Sequence, residues 1–159
     1  MKWIELLDKW GLSSLKVNLG ILQSEWKPND HDKTAAWEMY VELLTRITTQ
    51  PLPKDDGDEA TALSSTYSLF SITREILKEH GRHGREFSRL AVIVLNQIIR
   101  PFTAKWHRLS TQGAFETEEL CTVFREDLEA LQVQLTAYSR LLASVAGVED
   151  LTDLEAAKD

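Results

Sequence analysis

The sequence predicts an all-α protein. Apolar residues recur at helical spacing through four long stretches, and side chains suited to capping helices stand where those stretches begin. The one alternating, strand-like stretch has no evident partner strand. At 159 residues the chain has the length of one domain. Long helices are expected over residues 30–49, 58–80, 85–108 and 116–146, forming a bundle. The expected organisation is an N-terminal appendage at 1–27, the helical bundle at 28–147 and an acidic tail at 148–159.

Trp3, Ile4, Leu7 and Trp10 fall on one face of a short helix that Gly11 stops. A helix this short is marginal alone and has to dock on something. The stretch Leu12–Trp26 fits two patterns. Leu15, Val17, Leu19 and Ile21 alternate with polar residues or glycine, as in a strand, whereas Leu12, Leu15, Leu19, Leu22 and Trp26 make a helical stripe. The helical option leaves Val17 and Ile21 on the polar face and places Gly20 inside a helix, at a cost of about 1 kcal/mol. An extended segment is therefore expected.

Asn29 or Asp30 is placed to cap the next helix, whose stripe is Trp37, Tyr40, Val41, Leu44, Ile47 and Thr48 and which Pro51 ends. Residues 50–58, with two prolines and a glycine among charges, read as a loop. Asp58 or Glu59 starts a helix with Leu63, Tyr67, Phe70 and Leu77 on its inner face, and Gly81 is placed to end it in the left-handed conformation. Leu90–Leu95 is apolar all round, as in a central helix, and Pro101 predicts a kink near Ile99–Arg100. Thr117 is placed to cap the last helix, whose residues Leu120, Phe124, Leu128, Leu131, Leu135, Tyr138, Leu142 and Val145 form a lengthwise packing seam. Gly147 ends it, and the acidic residues after it are expected to fray.

Composition narrows the function classes. The chain is 43% hydrophobic with a net charge of −7, too apolar for a disordered protein. Its longest apolar run, Leu90–Leu95, is far short of the roughly 18 residues that suggest a membrane span. A single cysteine forms no internal disulfide, and the opening MKWIELLDKW mixes acid and base where a signal peptide has an apolar core. A cytoplasmic location without membrane attachment is the expectation.

The charge is uneven. Residues 1–73 carry 7 basic and 11 acidic side chains, residues 74–108 carry 8 and 3, and residues 116–159 carry 3 and 11. Such a chain does not bind DNA generally, because its overall field repels phosphate, but its basic middle can receive an anion or an acidic surface. The hairpin tip with Lys78, His80, Arg82, His83, Arg85 and Arg89 is the candidate patch, unless the basic middle is matched internally by the acidic last helix.

No phosphate loop, HExxH or nucleophile elbow is present, and nothing calls for a cofactor. Cys121 has no adjacent base and reads as a packed thiol. Asp30, His31 and Asp32 are neighbours on one helix and do not converge, and His80 with His83 lacks a third ligand, so no metal site is assigned. Arg74 precedes His80 with five residues between them, and Arg100 precedes His107 with six. Both spacings resemble the Arg–His motif of HEPN ribonucleases, small all-α proteins in which Arg and His from two protomers cleave RNA without a metal. The resemblance implies that Arg stabilises charge on the scissile phosphate while His moves a proton. It covers these two motifs and the fold class. Glu75 and Pro101 stand where that family favours a polar residue after the Arg.

Trp37 and Trp106 read as core, whereas Trp3, Trp10 and Trp26 lie near the N-terminus with Leu15, Val17, Leu19 and Ile21. Together these seven make a candidate partner surface, with a second copy of the chain as the expected occupant through strand pairing. The expected function is a non-enzymatic helical interaction module within a larger assembly, self-associating and bound to protein. The alternative is a HEPN-like ribonuclease, the only reading that brings in RNA.

Overall fold

The computed structural model describes residues 1–154, and among these every regular element is helical. α1 (Trp3–Lys9) and the single-turn α2 (Leu19–Leu22) precede α3 (Asp30–Leu44), and α4 (Glu59–Tyr67) runs into α5 (Leu69–His80). α6 (Arg85–Val94) passes through a π-helical turn (Leu95–Ile99) into α7 (Arg100–Thr111). A short 3-10 turn (Ala114–Glu116) then leads to α8 (Glu118–Ala146).

Local chemistry sets the helix starts where the sequence places them. Asn29 accepts from the Asp32 N–H and the Asp32 carboxylate accepts from the Asn29 N–H, a reciprocal cap. Asp58 accepts from the hydroxyl and the N–H of Thr61, which hold its carboxyl below the usual range. Thr117 caps α8, and Gly147 at φ 70° closes it in the left-handed region that favours glycine.

Three helices depart from expectation. The first of the four ends at Leu44 rather than 49. The 58–80 helix is two, α4 and α5, meeting at Ser68. The Ser68 hydroxyl donates to the Ser65 carbonyl and accepts from Arg46, while α4 packs against α7 and α5 against α3. The kink foreseen at Pro101 is taken up one turn earlier. Proline has no N–H to give, and the ladder widens so that the Arg100 N–H donates to Leu95 O, five residues back. Gly81 is right-handed, at φ −63°. Its lack of a side chain serves close approach instead, since a Cβ there would stand 2.9 Å from Ser88 Oγ.

The core is built on α3 and α8, which pack along their lengths. Phe124, Leu128, Leu131, Leu135, Tyr138 and Leu142 of the α8 seam are buried, and α3, which packs on α8, α5 and α6, buries Ala35, Ala36, Met39, Tyr40 and Leu43. Small residues on that face let the helices approach, and they push the expected stripe to one side: Trp37 is 46% exposed, not core. Trp106 is fully buried, stacked on Phe115 and edge-on to Phe124, with its Nε1 donating to Asp127. Val92 reaches solvent, so the helix at 90–95 is not enclosed on every side.

The strand expected at Leu15–Ile21 does not form. Turns occupy 13–15, and only 16–18 run irregularly before α2. Gln97, on the π turn, supplies what a neighbouring strand would. The Lys16 N–H donates to Gln97 Oε1 at 2.8 Å and Gln97 Nε2 donates to Lys16 O at 2.7 Å. Trp3, Leu6, Leu7, Leu12 and Leu15 share one continuous core with the helices that follow. The tail also folds back: Tyr40 Oη donates to Asp150 and accepts from the Leu151 N–H, and Arg140 Nη2 reaches Asp153 at 2.7 Å. The rest of the segment expected to fray, 155–159, lies outside the described residues. No helix among those described is long and apolar enough to cross a membrane.

Candidate anion-binding face

α5 and α7 together present a basic, aromatic surface. Phe70, one turn before Arg74 on α5, lies beneath two guanidinium groups. Arg74 Cζ is 5.9 Å and Arg100 Cζ 4.8 Å from its ring centre, within the range of cation–π attraction. Tyr67 packs on Phe70 at 5.5 Å and receives the His107 ring edge-on at 4.9 Å. His107 stands two helical turns beyond Arg100 on the same side of α7. Arg100 Nε donates to Asn96, and its remaining donors have no partner among the described residues. Arg74, Arg100 and His107 are all exposed, and Tyr67, placed on the inner face by its spacing, is 53% exposed.

The structure therefore keeps the Arg100–His107 pair on one face and parts the other. Arg74 is parted from His80, whose Nε2 turns to α3 and lies 3.0 Å from Glu38 Oε1. Arg74 joins Arg100 and His107 instead. The signal for this grouping was Phe70 four residues before Arg74, but the partner helix had to be known before it meant anything.

The basic tip splits as well. Arg82, His83, Arg85 and Arg89 line a cleft of about 440 Å³ with Lys27, whereas Lys78 and His80 do not. Three acids line that cleft too, Glu25, Asp32 and Glu86, and the last two are buried. Asp32 accepts from the Phe87 N–H at 2.8 Å, completing the first turn of α6, whose own cap residue, Gly84, has no side chain. Glu86 accepts from Trp3 Nε1 at 2.8 Å and lies 3.8 Å from Arg89. These carboxylates make the tip a poorer anion site than the α5–α7 face.

Internal matching of the basic middle is slight. Lys105 pairs with Asp127 of α8 and Arg89 with Glu86, while Arg74, Lys78, Arg82, Arg85, Arg100 and Arg108 make no ion pair among the described residues. The N-terminal candidates are mostly spent on the fold. Trp3 and Leu15 are buried and Trp10, Val17, Ile21 and Trp26 half-buried, leaving Leu19, 70% exposed, as the one fully open member. No strand forms among the described residues, so pairing with a second copy by strand addition has no strand here to use.

Cys121 donates weakly to Phe115 O, and burial followed by the nearby Glu59 charge pushes its thiol up. A raised thiol has less thiolate at a given pH, so iodoacetamide at pH 8 is expected to alkylate it several-fold more slowly than free cysteine. Mass spectrometry over a time course checks this, and an equal rate contradicts it.

No family model matches the chain, and no curated protein and no solved structure shows significant similarity to it.

Proposed function

We propose that the chain is a non-enzymatic helical interaction module, a small cytoplasmic component of a larger assembly, which receives an acidic protein surface on its α5–α7 face. The observation that carries this reading is the convergence of Arg74 and Arg100 on the ring of Phe70, with no carboxylate of the described residues within ion-pair reach. Holding two guanidiniums on one ring fixes their direction before a partner arrives and lowers the entropy lost on binding. Tyr67 adds an exposed aromatic anchor between them and His107.

The test is fluorescence anisotropy with a labelled poly-glutamate peptide at two salt concentrations. Charge reversal in Arg74→Glu/Arg100→Glu is expected to weaken binding about tenfold or more and to flatten its salt dependence. Unchanged affinity removes the proposal. The same geometry favours one second reading, metal-independent RNA cleavage with His107 moving a proton beside the two arginines. Incubation with mixed RNA and a chelator separates the two, since cleavage lost in His107→Ala would put the ribonuclease reading in place of the binding module.

A further inference from the structure

On the side away from the basic face, α3 and α5 form an open groove of about 400 Å³ whose walls carry Glu38, Glu42, Glu75 and Glu79 beside Trp37 and Val41. Glu42 is paired with Arg46. Glu38 and Glu79 have no Lys or Arg partner among the described residues, and both face the imidazole of His80. Its Nε2 is 3.0 Å from Glu38 Oε1 and 3.9 Å from Glu79 Oε2, and donor atoms of the three residues all lie within 4.8 Å of one another.

We propose that Glu38, Glu79 and His80 form a binding site for one divalent transition-metal ion of the zinc class. The spacing suits such an ion. Bonds of about 2.1 Å to nitrogen and carboxylate oxygen in a tetrahedral arrangement separate the donors by about 3.4 Å. Two carboxylates balance the ion's charge, and the imidazole nitrogen favours a borderline metal over calcium or magnesium, which take oxygen ligands. The helices fix the arrangement from both sides of the seam: His80 side-chain exposure is only 12%, and Glu38 comes from a helix 42 residues earlier. The groove leaves further positions open to water or to Glu75, one turn before Glu79. This site is independent of the basic face and of the function read from it.

Calorimetric titration of the untagged, full-length protein with zinc chloride tests the proposal, with cobalt(II) absorption reporting the ligand set. One ion per chain is expected, with an intense visible band for bound cobalt and no competition from millimolar calcium or magnesium. His80→Ala is expected to abolish the cobalt band and weaken zinc binding more than tenfold. Glu79→Gln changes a side chain that is 69% exposed, leaves the fold intact by circular dichroism, and is expected to weaken zinc about tenfold. Zinc affinity unchanged in both variants, absence of saturable binding, or equal binding of calcium each overturns the proposal.

Discussion

Replacing Asp32 with alanine is expected to destabilise the protein by about 3 kcal/mol. Asp32 is buried and serves two helices at once. One oxygen accepts from the Asn29 N–H in the reciprocal cap of α3, and the other accepts from the Phe87 N–H in the first turn of α6. Alanine leaves both donors without acceptors, and the Phe87 N–H is buried where water cannot replace the lost bond. Asn29 Nδ2 also donates to His83 O, so the start of α3 clamps the turn between α5 and α6. Urea unfolding at neutral pH checks the expectation through the midpoint at constant slope. Asp30→Ala is the control, because Asp30 shares the helix end but is exposed, and its change should stay within about 0.5 kcal/mol. Equal losses in the two variants would mean that the helix dipole, and not the double cap, is the cause.

Trp3→Ala is expected to cost about 4 kcal/mol, a large share of the 5–15 kcal/mol by which single domains are stable. Trp3 is fully buried, meets Trp26 edge-on at 4.9 Å and gives its Nε1 proton to Glu86. Two variants separate its apolar and polar contributions. Trp3→Phe keeps an aromatic ring but withdraws the donor from a buried carboxylate, and about 2 kcal/mol should be lost on that account. Combining it with Glu86→Gln should restore part of the loss, because the charge that needed the donor is then absent. Thermal unfolding of the four proteins in a double-mutant cycle measures the coupling, and additive losses would show that the indole N–H does not matter. By the same reasoning, removing residues 1–27 should unfold the remainder.

How much of this was legible in the sequence depends on the range of each interaction. Helix ends are marked by bonds to residues three or four positions away, so the sequence narrows them to Asn29 or Asp30, Asp58 or Glu59, Thr117 and Gly147, and the structure selects Asn29 and Asp58. The α8 seam was legible because one strong periodicity governs it over eight turns. The bulk of Trp37 suggests a core position, but α3 buries Ala35, Ala36, Met39, Tyr40 and Leu43 and leaves Trp37 exposed. Interactions that join distant residues left no local trace. Trp3 and Glu86 are 83 positions apart, Lys16 and Gln97 are 81, and Glu38 and His80 are 42. The candidate face suffered in the same way. Proximity along the chain pairs each Arg with the nearest His, whereas helix packing brings Arg74 and Arg100 to the one ring of Phe70.

The π turn between α6 and α7 acts as a phase corrector. Leu90, Val94, Ile98, Phe102 and Trp106 recur every four residues and all are buried. In an unbroken α-helix each such step overshoots a full turn by about 40°, so the row would wind some 160° around the axis and carry Trp106 away from Phe124. Spending one extra residue at Leu95–Ile99 resets the azimuth by about 100°. Everything downstream inherits that rotation. The bearing on which Arg100 and His107 meet α5 is therefore decided upstream, in the turn at Leu95–Ile99.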